Sequence, residues 1–386
     1  MQVINMAYKF RIYPNEEQKI LLAKHFGSCR FVWNYFLNER KEHYLKNKEE
    51  IEAKRIKGNL NYYDNSKALT ILKKQDEFKW LNECNSQALQ ATLKHLDAAY
   101  KMFFRKTHKF PRFKSKHNKQ SFTIPQFFKL ENNKIYIPKF KNGIKVKEHK
   151  KLEGKFIVAT ISKNIQNQYY VAIIVEKEVK NLEKLQTAVG IDLGIKDLAT
   201  LSNGVVYENI KPLKNNIKKL KYLQKQLSKS KKGSGVRKRR QLKLAKYHLK
   251  ISNIRNDYLH KITNQISNEN QIVCLEDLAV SNMIKNHKLA QAISDVSWHE
   301  FKRQLEYKCK WKGRQLVIID RFFPSSKTCN VCGTINQELT LKDREWTCKN
   351  CGTMHDRDVN ASVNILKQGL NIADGISVKS EGSCCQ

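Results

Sequence analysis

The stretch Ala188-Val189-Gly190-Ile191-Asp192-Leu193-Gly194 runs a short apolar strand into an aspartate flanked by glycines, and the second half of the chain is organised around it. Beyond it, Leu198 to Leu201, a Ser202-Asn203-Gly204 turn and Val205 to Ile210 read as further strands, so three consecutive antiparallel strands are expected. Two helically periodic runs follow. The first holds Ile217, Leu220, Leu223 and Leu227, and the second Ile251, Ile254, Tyr258, Ile262 and Ile266. The basic turn Lys231-Lys232-Gly233-Ser234-Gly235 between them makes a hairpin. Gln271 to Glu276 returns as a strand, Trp298 to Trp311 as a helix and Gln315 to Asp320 as another strand.

The order β-β-β-α-β-α-β-α is that of an RNase H-like domain, a mixed sheet flanked by helices. Two strands in it end on acids, Asp192 and Glu276, the latter closing the run Ile-Val-Cys-Leu. A third acid, Asp358, projects from the start of the last helix in Asp356-Arg357-Asp358-Val359-Asn360-Ala361. Carboxylates ending buried strands are costly unless a cation offsets them. Two strand-borne acids and a helix-borne one can converge on two hard cations, the arrangement that hydrolyses phosphodiesters, so Mg2+ is expected, with Mn2+ as the alternative ion. The glycines beside Asp192 would let a metal and a phosphate approach the backbone closely. Asp197, Asp277 and Asp356 are neighbours that could substitute, and Asp356 could instead cap the helix.

Cys329-x2-Cys332 and Cys348-x2-Cys351, 15 residues apart with Gly333 and Gly352 in the turns, have the spacing of a zinc ribbon. Four thiolates leave no open coordination position, so one structural Zn2+ is expected, contributing on the order of 10 kcal/mol to folding. A pair of redox disulfides is the alternative. Cys29, Cys84, Cys274 and Cys309 are scattered singly, which argues against a secreted disulfide framework. Cys384 and Cys385 sit in a polar tail from 371 to 386.

In the first half, Met6 to Ile12 alternates as a strand, and Pro14 with Asn15 opens a helix through about Lys46. A helical block continues through Ser66 to Phe104, with Leu89, Leu93, Leu96 and Tyr100 at helical spacing. Ser121 to Pro125, Lys134 to Pro138, Lys155 to Ser162 and Tyr169 to Glu176 then read as short strands of a small β-barrel or sandwich, followed by a charged linker, Lys177 to Gln186. The helical block is thus inserted after the first strand. The fold class is α/β plus β-barrel.

Lys and Arg number 73 against 36 acids, a formal charge of +37, which points to a polyanionic partner, nucleic acid above all. Two stretches suit backbone phosphates, Lys101 to Lys119 with Arg112, Lys114 and interleaved phenylalanines, and Lys229 to Lys246 with Arg237, Arg239 and Arg240. For the second, a merely solvated helical face is the competing explanation. No run approaches the roughly 18 apolar residues of a membrane span, and the start lacks a signal-peptide core, so a cytoplasmic protein is expected.

These residues resemble the TnpB family, transposon-encoded RNA-guided DNA nucleases related to type V CRISPR effectors. The resemblance spans nearly the whole chain. Besides the acids and cysteines it includes Tyr8 to Pro14, Arg30-Phe31-Val32-Trp33-Asn34, Phe110-Pro111-Arg112-Phe113, Arg255-Asn256-Asp257-Tyr258-Leu259-His260-Lys261, Ile293-Ser294-Asp295 and Pro324-Ser325-Ser326-Lys327-Thr328-Cys329. It implies a wedge β-barrel (1–15 and 116–180), an inserted helical recognition domain (16–115), a RuvC nuclease domain (187–322 and 355–370) and a zinc ribbon (323–354). It also implies a guide RNA from the transposon end and a double-stranded DNA target beside a short transposon-adjacent motif. One chain per RNA is expected, with no protein partner required and no membrane.

Carried over by resemblance, Asp192, Glu276 and Asp358 are the RuvC acids, and Tyr62, Gln90 and Thr123 fall where the family reads its adjacent motif. Gln reads adenine by paired hydrogen bonds, but Ser86 and Gln87 lie where the family varies, so the motif itself does not transfer. The competing functions are a transposase joining DNA ends and an RNA-dependent DNA-binding repressor. The complete acid set argues against the repressor. A Holliday-junction resolvase needs a compact dimeric domain of less than half this length and no ribbon.

Overall fold

The computed structural model describes residues 2–53, 55, 60–117, 119–179, 183–340 and 342–381. Residues 180–182 of the charged linker, and Cys384 and Cys385, lie outside the described residues. The chain divides into two compact units, one covering Val3–Glu178 and the other the chain from Val179 onward.

In the first unit, β1 (Gln2–Tyr13) is followed by α1 (Glu16–Lys46), α2 (Lys48–Glu52), α3 (Tyr62–Leu72), a 3-10 segment (Asp76–Glu83) and α4 (Ser86–Phe104). Then come β2 (Gln120–Ile124), β3 (Lys129–Glu131), β4 (Lys134–Tyr136), β5 (Ile144–Lys147), β6 (Lys155–Lys163) and β7 (Tyr169–Val179). α1 starts where expected because Asn15 caps it: its side chain accepts from the Gln18 N–H while the Gln18 side chain accepts from the Asn15 N–H. The strands form one seven-stranded sheet in the order β2-β6-β7-β1-β5-β4-β3. β1 therefore pairs inside the sheet although four helices separate it in sequence from β2. Phe10 and Ile12 of β1, Leu22, Val32 and Phe36 of α1, Leu89 and Leu93 of α4, and Ile161 and Val171 of the sheet share one core. A buried ion pair, Arg40 to Asp97 at 3.3 Å, joins α1 to α4. The strands β3 and β5 were not anticipated, being three and four residues long and half lysine or charged.

The second unit contains β8 (Ala188–Asp192), β9 (Asp197–Leu201), β10 (Val206–Glu208), α5 (Pro212–Ser228), α6 (Gly235–Glu269), β11 (Ile272–Glu276), α7 (Val280–Met283), α8 (Ala290–Val296), α9 (Trp298–Lys312), β12 (Gln315–Ile319), β13 (Glu345–Thr347), β14 (Met354–Asp356) and α10 (Arg357–Glu381). Five strands make a mixed sheet in the order β10-β9-β8-β11-β12. β8, β9 and β10 are antiparallel, and β11 runs parallel to both its neighbours. Alternation sends Val273 and Leu275 into a core with Ile262, Ile266, Phe301 and Leu305, and Cys274 into a core on the opposite face with Val317, Ile319 and Ile365. Helices cover both faces, which is why these strands read as nearly unbroken apolar runs. Each large side chain so buried stabilises the fold by roughly 1.5–3 kcal/mol. α10 continues to Glu381, into the stretch read as a tail from 371.

Candidate active site and cysteine cluster

The parallel register pairs Cys274 with Gly190 and Leu275 with Ile191, so the next step along both strands sets Glu276 beside Asp192 at one edge of the sheet. α10 lies against β8 and β11 and carries Asp358 in its first turn. The three acids line one cavity of about 990 Å³. Burial pushes the Asp192 carboxyl well up, and the charges of Glu276 and Asp358 push it further, while Arg357 opposes them. Burial also raises Glu276, and the two carboxyls are hydrogen-bonded to each other. Two acids that share a proton in a partly buried pocket have less positive charge than they need. An all-oxygen donor set in that condition fits a hard divalent cation such as Mg2+.

The rival acids are accounted for differently. Asp356 accepts from the Asp358 and Val359 N–H groups at 3.0 and 2.9 Å, so it caps α10. Asp277 is held below the usual carboxylate range by Lys302 and Arg321, which both pair with it. Asp197 lines the cavity with Lys196 3.7 Å away.

Gly190 has a role other than the one expected. A Cβ there would lie 2.1 Å from the Ser362 carbonyl oxygen and 2.5 Å from the Leu366 nitrogen. The room it leaves is filled by the backbone of α10, so it admits that helix rather than a metal or phosphate. At Gly194 a Cβ would meet the Asp197 carbonyl oxygen at 2.8 Å, so that glycine serves the β8–β9 turn.

The cavity rim carries basic residues that the sequence did not single out. Lys211 and Lys214 flank the start of α5, Lys288 precedes α8, and Arg344 and Arg357 stand beside Asp358. Arg344 Nη1 is 3.3 Å from Asp358 Oδ2. Arg357 had a signal, its place between two aspartates, whereas Arg344 lies 14 residues before Asp358 and had none.

The four cysteine Sγ atoms lie within 4.8 Å of one another, with Cys329 to Cys351 at 3.6 Å and Cys332 to Cys348 at 3.5 Å. These separations are near the edge of about 3.8 Å for a tetrahedron with Zn–S bonds of about 2.3 Å, and too long for disulfides. The thiols of this four-cysteine cluster are free. The hydroxyl and N–H of Thr334 lower Cys332 to about 5, Thr353 lowers Cys351, and burial pushes Cys329 up to about 11. The cluster could bind a structural zinc. His355 Nε2 lies 3.1 Å from Cys329 Sγ, with its ring against Trp346. α10 is tied to the loop before the cluster. The Asn360 side chain accepts from the Asn330 N–H and donates to the Thr328 carbonyl, and Asn364 donates to the Ser325 and Thr328 carbonyls. The helix bearing Asp358 is thus anchored to the cysteine loop.

Other sequence-predicted contacts fall in several places. Tyr62 opens α3 and Gln90 is exposed on α4, one turn before Lys94, whose Nζ sits 5.3 Å from the Tyr62 ring. Thr123 on β2 contacts Thr160 of β6 instead. Arg112 and Lys114 are both exposed, and the Lys114 ammonium lies 3.6 Å from the Trp33 ring centre. Arg237 donates to the Leu227 and Ser230 carbonyls and Arg240 to the Gln226 carbonyl, so both close the α5–α6 turn; Arg239 is exposed. Among the described residues no helix is long and apolar enough to cross a membrane.

A family profile described as "Probable transposase" matches residues 172–287, one described as "Cas12f1-like, TNB domain" matches 298–365, and one described as "Helix-turn-helix domain" matches 1–49. A Streptomyces pristinaespiralis protein named "Putative RNA-guided DNA endonuclease" is 40% identical, over 99% of this chain and 94% of its own. The chain belongs to the TnpB family. A second TnpB-family relative, "Putative RNA-guided DNA endonuclease InsQ" of Escherichia coli K12, is 34% identical over 94% of this chain and 92% of its own. The solved "Cas12f1-sgRNA-target DNA complex" contains a chain of the same fold, with TM-score 0.56 at 13% identity, covering 94% of this chain and 98% of that one. The Cas12f1-like profile spans the cysteine cluster and Asp358. In this TnpB-family member residues 2–49 are a strand and one unbroken helix of 31 residues with the start of a second, not a helix-turn-helix.

Proposed function

We propose that this protein is an RNA-guided, metal-dependent endonuclease that cuts double-stranded DNA next to a short transposon-adjacent motif, directed by a guide RNA from the transposon end. The observation that carries the reading is the convergence of Asp192, Glu276 and Asp358 on one cavity with a rim of lysines and arginines. The names of the two full-length relatives support RNA guidance and a DNA substrate. In this reading the five-stranded sheet and its helices are an RNase H-like, RuvC-type nuclease domain, with the zinc ribbon inserted before α10. The seven-stranded sheet is the wedge barrel, and α1 to α4 are the inserted recognition helices.

Asp192, Glu276 and Asp358 are the catalytic acids and would hold two Mg2+ ions, with Mn2+ as the alternative. When bound, such ions supply a nucleophilic hydroxide at neutral pH and stabilise charge on the phosphate and the leaving 3'-oxygen. The chain's own residues do the rest. Lys211, Lys214 and Lys288 bind phosphates of the strand entering the cavity. Arg357 stabilises the ionised form of Asp192. Arg344 orients Asp358 through their contact. Tyr62, Gln90 and Thr123 are assigned to motif reading, and the exposed Arg112 and Arg239 to RNA or DNA backbone. Lys114, Arg237 and Arg240 would serve that role only by leaving their present partners.

The test is cleavage of a plasmid library with randomised bases beside a fixed target, by protein co-expressed with RNA from its own transposon end. Depletion of particular flanking sequences by the native protein, and none by Asp192→Ala, is expected. Target binding without cutting by both would replace this reading with that of a repressor, and joining of transposon ends with that of a transposase.

A further inference from the structure

Asp295, in the Ile293-Ser294-Asp295 run, is a further carboxylate in the cavity wall beside Asp192, Asp197, Glu276 and Asp358, only 4% exposed and committed to partners from two other helices. Its Oδ1 accepts from the Leu213 N–H at 2.9 Å and from Arg255 Nη2 at 2.8 Å. Its Oδ2 accepts from the N–H groups of Leu213 and Lys214 at 3.0 and 2.9 Å. The residue at the α5 N-cap position, Lys211, makes no side-chain cap bond, and its φ of 43° is left-handed. Asp295 therefore caps α5 from α8, and Arg255 of α6 neutralises it.

These bonds connect the two lysine-bearing sides of the cavity. Asn209, Lys211 and Lys214 line it from the start of α5, while Lys288, Gln291 and Ala292 line it from the segment that ends in Asp295. With two N–H donors on each oxygen, Asp295 has little capacity left for a cation. We infer that Asp295, held by Arg255, is a positioning residue for cleavage: it ties α8 to the first turn of α5 and so fixes the two walls that grip the DNA strand. This rests on the nuclease reading above. A displacement of about 1 Å at a reacting centre costs on the order of 100-fold in rate, so loosening the walls should slow cutting without changing which residues hold the cation.

The experiment compares Asp295→Asn, Arg255→Gln and the double variant with wild type and Asp192→Ala, as preassembled protein–RNA–target complexes started with Mg2+ under single-turnover conditions. Each single change should slow cutting about tenfold to 100-fold. The double variant should be no slower than the worse single one, because both break the same tie. Target binding, zinc content and the Mg2+ concentration for half-maximal rate should stay unchanged, a pattern that general loss of stability would not produce. Hydrogen exchange should quicken at the Leu213 and Lys214 amides and across 288–292. Wild-type cutting rates in both single variants would overturn the inference, as would recovery of the rate at high Mg2+, which would make Asp295 a cation ligand. Failure of wild type itself to cut would remove the nuclease reading, and unchanged exchange in the variants would then remove the tie as well. Should Asp295→Asn not fold, Arg255→Gln carries the test, since that side chain is partly exposed and its loss leaves the α5 cap in place.

Discussion

Replacing Gly190 by Ala tests whether the close approach of α10 to β8 sets the acid geometry. The added Cβ would stand 2.1 Å from the Ser362 carbonyl oxygen, 2.5 Å from the Leu366 nitrogen and 2.8 Å from the Leu366 Cβ, two of which are backbone atoms that no rotamer change can move. Ordinary contact begins near 3.4 Å, so α10 would have to withdraw by roughly 1.3 Å at that point. Overpacking of this kind costs about 1–3 kcal/mol. A functional cost adds to it, because Asp358 rides on the same helix one turn earlier and Asp192 lies two residues along the same strand. A 1 Å misplacement of reacting groups is worth on the order of 100-fold in rate. Gly190→Ala should therefore retain guide RNA and target binding, melt at a modestly lower temperature and cut about 100-fold more slowly. Thermal unfolding, a binding titration and a single-turnover cleavage course would measure the three quantities. Cleavage within a few-fold of wild type in a folded variant would refute the claim that this contact sets the separation of the acids.

The cation-free protein should lose stability as pH rises from the ordinary carboxylate range through the raised values of Asp192 and Glu276. Across that window the folded state holds a proton that the unfolded state has released, so the slope is negative, up to about 1.4 kcal/mol per pH unit for each proton. Asp192→Asn or added Mg2+ should flatten the profile, measured as thermal midpoints from pH 4 to 8, and a profile that rises with pH instead would contradict the buried-acid account. Cys348→Ser should lower the zinc stoichiometry, measured by elemental analysis, together with the melting temperature and cleavage, because α10 hangs on the cysteine loop through Asn360 and Asn364. A zinc-free variant that cuts normally would separate the cluster from the site.

Much of the site was legible because its signals are local. Cysteine pairs two residues apart in tight turns must face one another. An acid that ends an apolar strand must lie at a sheet edge, and a β-β-β-α-β-α-β order leaves few ways to pair the strands. The strand β1 and helix α1 were equally readable, from alternation and from the Pro14-Asn15 start. The short strands β3 and β5 were not, because three or four residues rich in lysine acquire strand geometry only from partners supplied by the sheet.

By itself, the amino-acid order determined which residues end strands, which cysteines pair and which half of the chain carries each sheet, since all of these follow from spacing along the backbone. Only the tertiary structure distinguished Asp356 from Asp358, because both sit in the same turn, but the first carboxylate accepts from the helix amides whereas the second lines the cavity with Asp192 and Glu276. It also reassigned Gly190 from a ligand's approach to a helix's approach. Arg344, Lys288 and Asp295 reach the cavity from segments distant in sequence, and which residues meet there depends on loop closure and packing, which leave no periodic trace in the sequence. In the same way, Arg237 and Arg240 read as free charges along the chain but are bound to the carbonyls that end α5, because a helix terminus needs partners for its last oxygens.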